Sequence, residues 1–268
     1  MSKSKHTTLD RNDPHFIEGI HNYCDRWCAR CEYSHRCFNY SLLSKEDEDP
    51  QPRDINNQRF WEMLGAHLAK SKKLVEKSAG SKIVRISLEA AEALEKHQDR
   101  AARARGNHEM KMAMTYAAMV DEWFNNELQI PLLHIRDLEK KVRDGSVSIA
   151  TAKGDLVRLN ECVEVIRWYQ HFIYVKLCRA FSSKVEEESH PDWSLDSDGS
   201  AKITLIAIER CLAAWSALCE MFPEQTDSIL EILIRLDRLL RAIETKFPKA
   251  RRFVRPGFDD ASKRKAKP

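Results

Sequence analysis

Four of the eight cysteines in this 268-residue chain lie within fourteen residues near its amino end: Cys24, Cys28, Cys31 and Cys37. A thiolate is a soft ligand that selects zinc, Cu(I) or iron–sulfur clusters. His21 and His35 lie beside the cysteines and offer imidazole nitrogens as substitute ligands. The segment therefore predicts a cysteine-ligated metal centre.

The spacing of the cysteines bears on which metal is bound. On a continuous helix, Cys24 and Cys31 are about 10 Å apart along the axis, at about 1.5 Å per residue. Thiolates around one zinc ion lie about 3.8 Å from each other. A four-iron cluster accepts wider ligand spacing, so [4Fe–4S] is favoured over zinc. Cys37 joins the set only if the helix ends after Cys31.

Two other interpretations of the segment remain open. Steps of three and four residues along one helix would align Ile17, His21, Cys24, Cys28, Cys31, His35 and Phe38. Cysteine packs as a small hydrophobic residue, so this seam could be a packing face. A redox-active thiol pair is the second interpretation, because Arg26, Arg30 and Arg36 would stabilise a thiolate.

The composition is that of an ordinary water-soluble protein, with 43% hydrophobic and 32% charged residues. The sequence contains neither a membrane-length apolar run nor the apolar stretch of a signal peptide, which favours the cytoplasm. Residues 249–268 hold eight basic and two acidic side chains, so the rest of the chain is slightly acidic. We expect Phe253 and Phe258 to dock this basic tail, in preference to its binding nucleic acid or an acidic protein.

Helical periodicity extends over most of the chain, and strand-like alternation is missing. This predicts an all-α, antiparallel helical bundle with a cysteine-rich N-terminal helix–loop segment. The predicted domains are a metal-binding segment (1–52), a bundle (53–248) and the tail (249–268). Asp13–Pro14 predicts the start of a helix that carries the cysteines. The other predicted helices cover residues 54–77, 83–128 with a break near Gly106, 131–145, 149–184, 201–221 and 224–246.

Two further sites are weighed against simpler interpretations. Six polar residues on neighbouring helices suggest a carboxylate di-iron centre: Asp121, Glu122, Glu161, Glu164, His171 and Glu209. The paired Glu-x-x-His signature of such centres is absent, so a core Trp168 and a hydrogen-bonded His171 are preferred. The loop before residue 201 could bind phosphate with Lys202, but a turn with Ser200 as helix cap needs fewer assumptions.

Two known cysteine patterns are similar to parts of this segment. Cys28-x-x-Cys31-x-Tyr33-x-x-x-Cys37 resembles the terminal triplet of the iron–sulfur staple in a group of DNA-processing nucleases. No nuclease core follows it, so the resemblance implies cluster chemistry alone. Cys24-x-x-x-Cys28-x-x-Cys31 has the spacing of radical S-adenosylmethionine enzymes. We reject that assignment because those enzymes contain a β/α barrel and this chain has no predicted strands.

Four blocks of sequence carry a wider resemblance: Tyr23–Cys31 (YCDRWCARC), Val165–Gln170 (VIRWYQ), Asp198–Lys202 (DGSAK) and Phe253–Asp259 (FVRPGFD). Together they resemble an uncharacterised family of bacterial all-helical proteins with an N-terminal CDxWCxxC motif. The resemblance covers most of the chain and implies a helical fold. It implies no particular activity.

Overall fold

The computed structural model describes residues 10, 12–46, 106–126, 129–189 and 196–259. All regular secondary structure within these ranges is helical, which confirms the all-α prediction. Six α-helices are described: α1 (Phe38–Glu46), α2 (His108–Asn126), α3 (Gln129–Arg143), α4 (Ile149–Ser189), α5 (Asp196–Met221) and α6 (Thr226–Lys246). The predicted helix 54–77 and the first part of the predicted helix 83–128 lie outside the described residues.

The described residues belong to two compact units. The first unit contains residues 10, 12–21, 26–46 and 256–259, and the second contains 22–25, 106–126, 129–189 and 196–255. The predicted boundary after residue 52 lies outside the described ranges. The three-domain division therefore stays a prediction.

Helices α2, α4, α5 and α6 form an antiparallel bundle in the second unit. Arg158 near the start of α4 pairs with Glu220 at the end of α5, at 2.5 Å. Arg179, three-quarters of the way along α4, pairs with Asp196 at the start of α5, at 2.8 Å. Because early positions of one helix meet late positions of the other, these neighbours run in opposite directions, as predicted.

The bundle core follows from the apolar spacing of its helices. In α6, buried residues recur every three or four positions: Ile229, Ile232, Leu236, Leu239 and Ile243. Aromatic side chains fill the centre, where the Trp215 indole donates a hydrogen bond to the Tyr116 hydroxyl over 3.3 Å. Neither side chain is measurably exposed. Buried Trp N–H and Tyr O–H groups usually have such a partner.

Helix α5 begins at Asp196, so the predicted loop up to residue 199 and the Ser200 cap are both wrong. Glu187 of α4 caps this helix from outside. Its carboxylate accepts hydrogen bonds from the backbone N–H and the hydroxyl of Ser197, at 2.9 and 2.5 Å. The first N–H groups of a helix have no partner within it and favour negative charge. A carboxylate from a preceding helix therefore replaces the local cap, and Ser200 lies inside α5.

No helix in the described part of the chain combines the length and the apolar composition needed to cross a lipid bilayer. The 41-residue helix α4 is long enough, but charged residues occur along its whole length.

Candidate metal centre

The cysteine segment is folded as short 3₁₀ turns, and the prediction of an α-helix starting at Asp13–Pro14 is wrong. The turns are Ile20–Asn22, Cys28–Arg30 and Ser34–Arg36. Cys31 and Cys37 end two of them in extended conformation, with ψ of 119° and 112°. Arg26 has φ of 61°, which also interrupts a helix. The continuous seam of the packing interpretation therefore does not form, because its residues never share one helix.

Backbone hydrogen bonds link every third residue from Cys28 to Cys37. The N–H of Cys31 donates to Cys28 O (3.2 Å), that of Ser34 to Cys31 O (3.3 Å) and that of Cys37 to Ser34 O (3.1 Å). In a 3₁₀ turn, residues i and i+3 lie on the same side. Cys28 begins one turn and Cys31 is its C-cap, while Cys37 is the C-cap of the next turn.

A clasp formed by residues 15–17 and 35–36 holds the chain immediately before Cys37. The His15 imidazole donates from Nε2 to the carbonyl oxygen of His35 over 3.0 Å, and Arg36 Nε donates to the carbonyl oxygen of His15 over 3.1 Å. The N–H of Ile17 donates to Arg36 O over 3.0 Å. Phe16 and Phe38 add an edge-to-face contact, with ring centroids 5.4 Å apart.

Residues of the carboxyl-terminal tail pack within the first unit, in line with the prediction that Phe258 docks the tail. Phe258 packs edge-to-face on Tyr33, with ring centroids 5.2 Å apart. Gly257 has φ of 78° and lies against Ile17 and Ile20, so that an added Cβ would be 3.0 Å from Ile17 Cδ1. This conformation and this closeness both favour glycine.

Cys24 belongs to the second unit, where Asp25 fixes the adjacent backbone to the bundle. The Asp25 carboxylate accepts from the Tyr169 hydroxyl at 2.7 Å and from Arg210 Nη1 at 2.5 Å. The Trp168 indole N–H donates to the Asp25 carbonyl oxygen at 3.0 Å. Burial and the hydrogen bond to Asp25 raise the pKa of Tyr169 well above its ordinary value, so this hydroxyl stays a donor.

The other side of Cys24 is held by Tyr23, whose ring packs on Phe253 with centroids 4.7 Å apart. Gly199 of α5 lies beneath both rings: an added Cβ would be 2.6 Å from Tyr23 Cδ1 and 2.8 Å from Phe253 Cζ. Burial and a hydrogen bond to Asp196 raise the pKa of Tyr23 to about 12. Within the DGSAK block, Gly199 is therefore the position against which the two aromatic rings pack.

Lys202 donates a hydrogen bond to the carbonyl oxygen of Phe253 over 2.5 Å, which fixes the tail within the second unit. Arg251 supports the same attachment by pairing with Glu244 at 2.7 Å. The Lys202 ammonium group is already hydrogen-bonded to the tail backbone. The interpretation that Lys202 binds phosphate is therefore not supported.

The cysteines differ in exposure. Cys24, Cys28, Cys31 and Cys37 are all partly buried. Cys162 and Cys211 are buried in the bundle, and burial raises the pKa of both thiols, that of Cys211 to about 12. Thiols with raised pKa in apolar surroundings are unreactive. Among the partly exposed cysteines, the four N-terminal ones are closest together in the sequence.

Within the described ranges, no three His, Cys, Asp or Glu side chains are grouped closely enough to hold a metal ion. The predicted carboxylate di-iron centre has a further difficulty. Glu161, Glu164, His171, Asp121 and Glu122 are all exposed on the outside of their helices. They therefore do not line a bundle interior, as such a centre requires.

The expected core position of Trp168 is also wrong. Trp168 is 39% exposed, whereas its neighbour Tyr169 is fully buried. Successive residues of an α-helix point about 100° apart, so a shift of one residue exchanges core and surface. His171 is correspondingly on the surface of α4.

The residues that hold the cysteine segment were missed as functional candidates: His15, Asp25, Tyr169, Lys176 and Arg210. Lys176, 6% exposed, donates to the carbonyl oxygen of Asn22 over 3.2 Å. The one sequence signal for any of these residues was that some of them lie within the four blocks that carry the family resemblance. Tyr23, Asp25, Trp168, Tyr169, Gly199 and Phe253 all lie within those blocks and meet in the second unit.

In comparisons with known proteins, no family model, curated protein or solved structure matches the chain.

Proposed function

We propose that the N-terminal turns bind a cysteine-ligated metal centre, with a [4Fe–4S] cluster favoured over zinc. Cys28, Cys31 and Cys37 are the proposed ligands in the first unit. Cys24 is the proposed fourth ligand, with His21 or His35 as substitutes. The centre would serve electron transfer, sensing of oxidants or iron, or stabilisation of the segment.

The observation that carries the proposal is the three-residue hydrogen-bond repeat from Cys28 to Cys37. Metal-binding cysteines are commonly separated by two to four intervening residues, because a tight turn lets two sulfurs face one centre. The turns here are short, end in extended backbone at Cys31 and Cys37, and leave all three thiols partly accessible. Short turns of this kind can adjust to a bound metal centre more readily than a continuous helix can.

The choice of cluster over zinc rests on ligand spacing. A single zinc ion needs four sulfurs about 3.8 Å apart, whereas a four-iron cluster accepts a wider set. Since the described side chains include no ready group of three donors, binding is expected to rotate the cysteine side chains. Thiolates are the required ligand form, so we place the protein in a reducing cytoplasm.

The test is anaerobic purification followed by metal analysis, an optical spectrum and electron paramagnetic resonance. We expect iron and sulfide with broad visible absorbance that dithionite bleaches. Cys28→Ser and Cys31→Ser should lose the metal, while Cys178→Ser should keep it. Cys178 is the matched control, because it is equally part-buried but lies on α4.

The other outcomes identify the alternatives. A colourless protein with about one zinc per chain, lost in the Cys28→Ser variant, would indicate a zinc-stapled interaction module. Iron that survives all four cysteine substitutions would indicate a ligand set elsewhere in the chain. Cys24→Ser, His21→Ala and His35→Ala decide the fourth ligand. Wild-type protein without iron or zinc would end the proposal.

A further inference from the structure

Cys37 differs from the other proposed ligands of the first unit in how it is held. Cys28 and Cys31 share one turn, so local backbone geometry keeps them together. Cys37 follows six residues later, beyond a second turn. The distance between Cys37 and the pair therefore depends on contacts from outside the segment.

Those contacts come from the clasp, in which His15 takes part through both its side chain and its backbone. Its imidazole donates to the carbonyl oxygen of His35, and its own carbonyl oxygen accepts from Arg36. The backbone bond from Ile17 to Arg36 continues the pairing up to the residue before Cys37. Three hydrogen bonds thus restrain Arg36 and His35, and with them the position of Cys37.

We propose that His15 is a positioning residue for Cys37, an assignment that rests on the proposed function. His15 itself is not a ligand. Its side chain keeps the Ser34–Arg36 turn against residues 15–17, so that the Cys37 sulfur is held near the Cys28–Cys31 pair. Residues that orient metal ligands typically change metal affinity about 10–100-fold when they are replaced.

The experiment compares His15→Ala, His15→Gln and His35→Ala, each purified anaerobically beside the wild type. His15→Ala removes the donor. His15→Gln keeps an N–H donor of similar reach but cannot act as an imidazole ligand. His35→Ala keeps the backbone carbonyl that accepts the bond and removes only the His35 ring.

We expect His15→Ala to lower metal affinity about 10-fold, measured by competition with a chelator, and to alter the resonance spectrum of the reduced centre. His15→Gln should bind metal as the wild type does. His35→Ala tests whether the loss seen in His15→Ala belongs instead to the His35 ring. Far-UV circular dichroism of each variant checks that the helices remain.

Three results would overturn the assignment: wild-type affinity in His15→Ala, a loss in His15→Gln equal to that in His15→Ala, or an equal loss in His35→Ala. The second would mean that the imidazole is itself required, and the third that the His35 ring is the ligand. These failures are distinguishable from failure of the metal proposal, because in that case the wild type and Cys28→Ser would both be free of metal.

Discussion

Gly199 lacks a side chain, and the Tyr23 and Phe253 rings occupy the space that a methyl group would need. A glycine inside a helix ordinarily weakens it, by about 1 kcal/mol relative to alanine. At position 199 that loss is offset because the aromatic rings pack directly on the backbone of α5.

Gly199→Ala is therefore expected to destabilise the protein by about 1–3 kcal/mol, because the added methyl group overlaps both rings. Thermal and urea unfolding measure the change. Gly154→Ala on α4 is the control. No atom lies within 4 Å of its added Cβ, so alanine should stabilise the helix by about 0.5–1 kcal/mol. Equal effects at both positions would contradict the packing argument.

Two aspartates at the start of α5 have pKa values shifted in opposite directions. Burial alone would raise the pKa of Asp196, but hydrogen bonds from Arg179, Tyr23 and Ser183 lower it. Burial and the nearby Glu187 raise the pKa of Asp198. Asp196 is thus stabilised as a carboxylate, whereas the charged form of Asp198 is disfavoured.

Asp196→Asn and Asp198→Asn should change the stability of the protein in opposite directions at neutral pH. Asp196 contributes stability above its ordinary pKa of about 4, and this is lost as pH falls through its lower folded value. The unfavourable ionisation of Asp198 develops as pH rises through its raised folded pKa. At pH 7, Asp196→Asn should lower the unfolding midpoint and Asp198→Asn should raise it. The difference in unfolding midpoint between each variant and the wild type should shrink as pH falls below about 4. Differences that do not change with pH would refute the opposite pKa shifts assigned to Asp196 and Asp198.

At the scale of elements, the four-residue strap 22–25 depends on the bundle for its conformation. It is too short to form regular structure alone, and its polar atoms are bound by side chains of α4 and α5. The side chain of Asp25 is only 19% exposed, so its charge requires these donors.

Asp25→Ala should therefore destabilise the second unit by about 2–3 kcal/mol, since charge-assisted hydrogen bonds are lost and partly buried donors are left unpaired. Chemical denaturation provides the measurement. Glu220→Ala removes the Arg158–Glu220 pair between the same two helices, where the Glu220 side chain is 68% exposed. That control should change stability by less than about 1 kcal/mol. If both variants unfold alike, Asp25 is not an anchor.

The long helices were predicted more accurately than the short elements. Helices α4 and α6 repeat the apolar period over many turns, so their type and approximate bounds were readable. The cysteine segment shows a similar period in sequence, yet it folds as 3₁₀ turns. Its conformation is decided by His15, Tyr33 and the tail, which local periodicity cannot reveal.

At the scale of the whole molecule, sequence-distant blocks support the N-terminal residues within each unit. Phe253 reaches Tyr23 in the second unit, and Phe258 reaches Tyr33 in the first. The basic tail thus has a structural role in its described part, although its composition alone resembles a nucleic-acid-binding arm.

The amino-acid sequence by itself determined the all-helical class, the antiparallel order of the bundle and the identity of the candidate thiols. These depend on apolar period, loop length and residue chemistry, which are local properties. Only the tertiary structure decided that the thiols occupy turns and that His15 and Asp25 hold the backbone beside Cys37 and Cys24. Those features arise from hydrogen bonds between residues 20 to 185 positions apart, and no local pattern encodes which distant donor meets which acceptor.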